Sequence, residues 1–554
     1  MNGRFFCALF FLCACVSSIQ AAGRGEGGGT ATPAASATSE VSQARAVEVF
    51  REICAICHSE NRFGGIGPAL LPENLERLKK AEALDVIKNG RPATQMIGYS
   101  SLLKPGEAEA LVSYIYSKAV PAPRWEAEDI KASHILNEET FKLPAVPNKL
   151  LSGVDPLNLF IVVETGDQHV SLLDGDKFKR LHRFPSRYAL HGGPKFSPDG
   201  RFVYFASRDG WITKYDIYNQ VTVAEIRAGL NARNAAVSSD GKWVMVANYL
   251  PHSLVVLDAR DLSLARIIPA IAGDGSGKSS RVSAVYDAAP RKSFIAALKD
   301  IPEAWEISYD PNAGEVSEGM IHDFQYKEGV FKPGFLYPRR TFLQDYLDDF
   351  FFTQSYDEIV GASRTASKGQ VIFLDGRKKV ADLDLTGMPH LGSGITWAWK
   401  DVDGIFGEKG AQRTVLATPN LNDPEVSIID METWKTIKKI PTLGPGFFMR
   451  SHENSRYAWV DSMMSPKYKD TLQVIDKESL EVVARLTPVP GKTLAHIEFT
   501  RDGKYALASL WEMDGALIVF DAKTLKEVKR IPASKPVGKY NIWNKITRSE
   551  GTSH

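Results

Sequence analysis

The sequence predicts a small all-α domain followed by an all-β eight-bladed propeller. Two observations carry that reading. Near the N-terminus, Cys54-Ala55-Ile56-Cys57-His58 stands between stretches with helical apolar spacing. From residue 151 onward the pattern changes to short alternating strands separated by polar, Asp-Gly-containing turns, and it repeats. Residues 195–216 read KFSPDGRFVYFASRDGWITKYD, residues 236–258 AVSSDGKWVMVANYLPHSLVVLD and residues 498–521 EFTRDGKYALASLWEMDGALIVFD. Each has a polar turn, a strand, a short loop and a strand ending in Asp. Weaker copies begin near Asn158, Tyr286, Tyr346, Trp399 and Asn454, which makes eight units in all. Their length, roughly 40 to 55 residues, is the period of propeller blades, and ring closure leaves few exposed sheet edges.

In the N-terminal part, C-x-x-C-H is the attachment motif of a c-type haem. Each thiol can add across a haem vinyl group, and the adjacent imidazole lies where it can bind the iron. A C-x-x-C pair can also be a redox dithiol or half a zinc site. Here no second Cys pair completes a zinc site and no βαβ context suggests a thioredoxin. The order of the surroundings fits haem c: a helix over 44–53, the motif, a turn at Gly64-Gly65-Ile66-Gly67-Pro68, a loop carrying Met96, and a closing helix over 104–118. In that last helix Ala110, Leu111, Tyr114 and Ile115 recur at helical spacing and can cover a haem face. Met96 is the expected sixth ligand, since Met/His ligation raises the potential; a core methionine is the alternative.

The termini and composition bound the rest. Residues 1–21 hold Arg4, an apolar run and a small-residue exit at Ala21, which reads as a secretory signal too short to span a bilayer. A periplasmic location follows, with cleavage near Ala21. Leu12-Cys13-Ala14-Cys15 loosely resembles a lipoprotein box, with Cys15 as anchor, but leaves a very short apolar run before it. Cys7, Cys13 and Cys15 fall inside this segment, so only Cys54 and Cys57 remain after cleavage and no disulfide is expected. Residues 22–43 read as a flexible linker, 44–120 as the cytochrome domain, 121–150 as a connector opened by Pro121-Ala122-Pro123, and 151–545 as the propeller. With 67 basic and 66 acidic residues the net charge is +1, which gives no electrostatic case for nucleic acid.

Of the eleven histidines, three beyond His58 occupy informative settings. His191 is followed by Gly192 and Gly193, which allow a planar ligand to approach closely. His390 stands in Gly387-Met388-Pro389-His390-Leu391-Gly392-Ser393-Gly394, and His496 precedes the strand of the last repeat. The first strands of blades line a propeller's channel, so these three can converge there; each taken singly fits a packed channel histidine as well. Arg187, Arg208, Arg233, Arg339 and Arg340 add a case for a polyanionic cofactor, because arginine grips carboxylates bidentately. Any one of them alone reads as a surface charge.

A c-type haem domain followed by such a propeller resembles the cytochrome cd1 nitrite reductase family over nearly all of the chain after the signal segment. The resemblance implies that the propeller holds haem d1, a haem with several carboxylates. It is carried by His191 followed by Arg208-Asp209-Gly210, by Arg233 as a partner of the acid groups, and by the tail Lys535-Pro536-Val537-Gly538-Lys539-Tyr540-Asn541. His191 is then the proximal and His390 the distal iron ligand. The departures redirect the reading. The reductases carry a second distal histidine near the position of Tyr337-Pro338-Arg339-Arg340, where this chain has none. Ser393 replaces an arginine, and His496 stands where the reductases have no histidine.

That combination resembles the paralogous dihydro-haem d1 dehydrogenases, which oxidise a propionate side chain to an acrylate as haem d1 is completed. The resemblance implies His496 as base and Tyr540 as its partner or relay, with electrons leaving through haem c to a one-electron acceptor protein. The haem d1 precursor would be the substrate and a nitrite reductase of denitrification the recipient of product. A working nitrite reductase and a non-catalytic haem d1 carrier or electron-transfer protein are the alternatives.

Overall fold

The computed structural model describes residues 42–91, 95–323, 328–363, 368–385, 387–404 and 407–547. The signal segment with Cys15, nearly all of the linker, and Pro92, Ala93 and Thr94 of the Met96 loop lie outside the described residues.

The helical part runs from Gln43–Val49 to Glu107–Ile115, with the ten-residue helix Lys80–Asn89 and shorter helical turns between. The first helix is not regular up to the motif. Phe50–Cys54 is a π-helical turn, and α-helix resumes at Ala55–His58. Such one-turn insertions shift the phase of everything after them and recur at functional sites. In Glu107–Ile115 the buried face is Ala108, Leu111, Val112 and Ile115. The expected Ala110 and Tyr114 lie off that face; Tyr114 packs edge-on against Phe50, 5.3 Å between ring centres.

The remaining described residues form eight antiparallel blades of four strands each, one of them extended to five strands, and a separate two-stranded hairpin of Val316–Asp323 with Glu328–Lys332. Blades 2 to 8 follow chain order and begin with Lys195–Phe196, Asn231–Val237, Val282–Ala288, Asp349–Phe352, Ile395–Lys400, Met449–Arg450 and Leu494–Phe499. These first strands are the inner ones, and several pack against their neighbours around the channel. Blade 1 is closed by the end of the chain: Pro536–Asn541 pairs antiparallel with Leu159–Glu164, Tyr540 opposite Ile161 and Lys539 opposite Val162. The last strand thus becomes the inner strand of blade 1, between blades 8 and 2. Trp305, Trp397 and Trp459 are fully buried in the packing between and within blades, where truncating each would cost about 3–5 kcal/mol.

The repeat has a local cause. The Asp ending the third strand of a blade accepts backbone N–H groups of the turn after it: Asp216 from Tyr218 at 2.9 Å, Asp476 from Glu478 at 2.9 Å, Asp521 from Thr524 at 2.7 Å. Four residues beyond each of these comes a residue with positive φ, Gln220, Leu480 and Leu525, which turns the chain into the fourth strand. A short carboxylate at one fixed place therefore sets the hairpin.

The connector also has a role. Ile135–Leu136 adds to the outer strand of blade 2, and Trp125 Nε1 donates to the Arg227 carbonyl at 2.8 Å. The helical domain sits on blades 2 and 3. Asn74 donates to the Leu230 carbonyl at 2.7 Å, Asn231 to the Glu73 carbonyl at 2.8 Å, Arg91 to the Tyr188 hydroxyl at 2.6 Å, and Arg227 to the Phe63 carbonyl. No helix among the described residues is long and apolar enough to cross a membrane.

Candidate active site

One cavity of about 1420 Å³ runs from the helical domain into the propeller channel. Cys54, Cys57, His58 and Met96 line it at one end; His191, Arg208, Arg233, His390, His496 and Tyr540 line it at the other. A single drug-sized ligand needs about 300–1,000 Å³, so this volume suits two macrocycles better than one small molecule.

At the helical end the residues fit a covalent haem c. Both thiols are free, and burial, with Cys57 beside it, pushes the Cys54 thiol up to about 11. The His58 ring is buried and its Nδ1 donates to the Pro68 carbonyl at 2.7 Å, which leaves the lone pair on Nε2 for a metal. Burial holds this imidazole below its ordinary pKa, in the neutral form a metal requires. Gly67 is dictated by that ring: a Cβ there would meet the imidazole at 2.7 Å. Phe50, Leu75, Ala83, Ile87, Leu111 and Ile115 supply apolar walls.

The propeller end has two walls. On the first, His191 heads blade 2 and its Nδ1 donates to the Arg233 carbonyl at 2.9 Å, again directing a lone pair to Nε2. Arg233 Nη1 lies 2.9 and 3.0 Å from the two ring nitrogens. An atom equally near both at that range lies over the ring face, since in the plane it would strike the carbon between them. Burial, then Arg233 and Arg208, hold His191 well below the ordinary imidazole pKa. Arg208 is itself pushed down to about 10 by burial and by Arg233 and Arg77, and its buried Nη1 has no partner among the described residues. Clustered guanidinium groups with an open donor call for an anion of several charges. Gly192 and Gly193 have positive φ, and their bareness serves packing: a Cβ would meet Asn234 at 2.6 Å in one case and the Tyr540 ring at 3.1 Å in the other.

His390 heads blade 6, four blades from His191 in a ring of eight and therefore across the channel. Its Nδ1 donates to the Phe447 carbonyl at 2.7 Å, the arrangement seen at His58 and His191.

The second wall is different. His496 is 2 % exposed and has φ of 51°, a conformation non-glycine residues rarely adopt. The pairing of Ala495 with Ser509 and of Ile497 with Ala508 skips it, so His496 is the extra residue of a β-bulge. Bulges re-aim a side chain at active sites, and here the ring turns toward Tyr540, 5.1 Å between centres at 72°. Its backbone N–H donates to Asp461 at 3.3 Å. His496 does not stand alone on this wall. Lys539 Nζ hydrogen-bonds the His496 carbonyl, lies 3.4 Å from His496 Nδ1 and donates to Ser509 Oγ at 3.1 Å. Burial first, then Lys539, Arg450 and Lys545, hold His496 well below its usual pKa, so it stays neutral. Tyr540 is pushed up to about 12 by burial and remains a phenol.

Three expected arginines fall outside the cavity. Arg187 forms a two-point pair with Glu225, at 2.6 and 3.0 Å, and stacks on Trp211. Arg339 and Arg340 lie on Pro338–Phe342, the outer strand of blade 4, paired with Glu306 and Glu303. A charge on an outer strand cannot reach the channel. Lys539 and Arg450 were not singled out as site residues by sequence reasoning. Their position on inner strands is the signal, and it requires knowing which strands are innermost.

Comparison with known proteins agrees with this geometry. Residues 154–545 match the family model described as Cytochrome D1 heme domain, and residues 42–115 match that of Cytochrome C oxidase, cbb3-type, subunit III. The chain is 52% identical to the dihydro-heme d1 dehydrogenase of Pseudomonas aeruginosa over 94% of this chain and 97% of that relative. It is 25% identical to the nitrite reductase of Stutzerimonas stutzeri over 90% of this chain and 92% of the reductase. A solved structure of dihydro-heme d1 dehydrogenase NirN in complex with DHE shares 54% identity, with TM-score 0.81 over 90% of this chain and 99% of that one. The chain belongs to the cytochrome D1 heme domain family and, within it, to the dihydro-heme d1 dehydrogenases.

Proposed function

We propose that the chain is an oxidoreductase that completes haem d1 by dehydrogenating dihydro-haem d1. A side chain –CH2–CH2–COO⁻ becomes –CH=CH–COO⁻, releasing two protons and two electrons. The observation that carries this reading is the place of His496 on its bulge, facing Tyr540 in a cavity shared with the haem c site.

His191 and His390 hold the substrate iron through Nε2, and Arg208 and Arg233 meet its carboxylates. His496 takes a proton from a side-chain carbon. Its lowered pKa keeps it unprotonated, and the arriving carboxylates offset the cations that lower it. Tyr540, protonated throughout the neutral range, orients the side chain or relays the proton. Cys54, Cys57, His58 and Met96 would hold haem c, which would supply a one-electron acceptor at the other end of the cavity. Two single-electron transfers to an outside acceptor protein then complete a turnover.

The signal-like N-terminus supports a periplasmic location, and product chemistry supports a nitrite reductase as the recipient. Nitrite reduction by this chain is the weaker reading, because residues 337–340, where the resemblance to the reductases expects a second distal histidine, hold none. The test is anaerobic incubation of the holoprotein with dihydro-haem d1 and a chemical oxidant. Loss of the mass of two hydrogens from the tetrapyrrole supports the reading; binding without mass change leaves only a carrier.

A further inference from the structure

Arg450 ends the two-residue inner strand of blade 7 and lines the cavity. It is 5 % exposed, yet among the described residues its Nε has no hydrogen-bond partner and its guanidinium makes one hydrogen bond, to the carbonyl of Met449 at 3.3 Å. A guanidinium is always charged and carries five N–H donors. Enclosing one without a carboxylate partner is unfavourable unless an anion arrives to meet it.

The surroundings say which part of the ligand that anion belongs to. Phe448, two residues earlier, packs its ring 4.8 Å from the His496 ring. Lys545 lines the same wall, 5.6 Å above the Tyr540 ring and 3.8 Å from Glu498. Glu498 and Asp461 lie behind the wall, held by backbone or side-chain N–H donors such as Asn544 at 3.1 Å and Phe447 at 2.8 Å. Arg450 and Lys545 line the cavity, whereas Glu498 and Asp461 do not; the charge of Glu498 is felt at Arg450 without a hydrogen bond between them.

We propose that Arg450, with Lys545 beside it, grips the carboxylate of the side chain that is oxidised and so presents the carbon next to it to His496. This rests on the proposed function and deepens it. Arg208 and Arg233, on the other wall, take other carboxylates, so the two walls together select which side chain reacts. A cation on the carboxylate also favours loss of the neighbouring C–H proton, because charge developing there is stabilised. The field of Arg450 is among the causes that hold His496 below its ordinary pKa, so binding of the carboxylate strengthens the base as the substrate arrives.

The decisive experiment is a crystal structure of the wild-type holoprotein with dihydro-haem d1, beside titrations of Arg450→Gln and Arg450→Lys with the same compound. The expected structure has the guanidinium within hydrogen-bond distance of the propionate oxygens. Arg450→Gln is expected to bind about 10- to 100-fold more weakly, the range for a charged hydrogen bond, and Arg450→Lys to regain part of that loss. A guanidinium on water or on a different acid side chain overturns the proposal, as does wild-type affinity in Arg450→Gln. Failure of the wild type to oxidise a substrate that Arg450 visibly grips would instead overturn the function and leave the contact standing. Should Arg450→Gln misfold, judged by its haem c spectrum, the wild-type complex alone decides.

Discussion

His191 and His496 flank the closing strand of blade 1 from its two sides, and the difference between them shows how one side chain serves two ends. Both are packed histidines held neutral by burial and neighbouring cations. At His191 the ring is tethered by a carbonyl at Nδ1 and lies under a guanidinium, leaving Nε2 as a ligand. At His496 the backbone is bulged and turned to positive φ, and a lysine stands behind the ring. The first arrangement fixes a lone pair in place; the second aims a ring at a reacting atom. Backbone strain of this kind persists only where surrounding structure enforces it, and it concentrates at functional sites.

The contrast can be tested by disabling one part at a time. The largest effect is expected from Cys57→Ala, which removes covalent haem attachment while leaving both walls intact. Denaturing gels stained for haem peroxidase activity should lose the band, and the dihydro-haem d1 titration should be unchanged. A changed titration would mean that the haem c end shapes the propeller site. Next comes His191→Ala. The visible spectrum of bound dihydro-haem d1 should shift with the lost ligand, with affinity reduced less than tenfold because the arginines persist. An unchanged spectrum in both His191→Ala and His390→Ala would place the iron elsewhere.

Tyr540→Phe sharpens the other wall. Loss of a hydroxyl that only orients or relays should slow single-turnover oxidation by roughly tenfold or less, below the contribution of a positioned base. A loss as large as that of His496→Ala would make Tyr540 the proton acceptor instead.

The smallest effect concerns the joint between the domains. Asp209 accepts the Ala69 N–H at 3.3 Å, and burial pushes its carboxyl up to about 6, although Arg227 pulls it down. A carboxyl raised in the folded state binds protons more tightly folded than unfolded, so its contribution to stability falls as pH rises from about 4 to about 6. Relative to wild type, Asp209→Asn should therefore gain stability across that window and keep the difference above it. Thermal melts at several pH values check this; a difference that does not change with pH would assign the shift elsewhere.

Much of this architecture was legible because it is local. Cys54, Cys57 and His58 form a contiguous motif, and the Asp-ended strands recur because each Asp builds its own turn. The π-turn at Phe50–Cys54 leaves no periodic trace in five residues. Arg187, Arg339 and Arg340 misled because strand order, not composition, decides whether a charge faces the channel or the rim. Arg450 hides in a strand of two residues. Lys539 lies in the recognised tail segment, but its contact with His496 exists only once the last strand closes blade 1 beside blade 8. Closure of the ring is a property of the whole chain, and residues that meet across it share no local pattern.

The most direct measurement is single-turnover oxidation of dihydro-haem d1 by His496→Ala, with excess chemical oxidant so that electron exit does not limit the rate. The variant is expected to bind the precursor with a wild-type visible spectrum, since His191, His390 and the arginines are intact, and to convert it ~10²-fold more slowly or worse. Conversion at the wild-type rate would contradict the assignment of His496 as base, and with it the division of labour between the two walls.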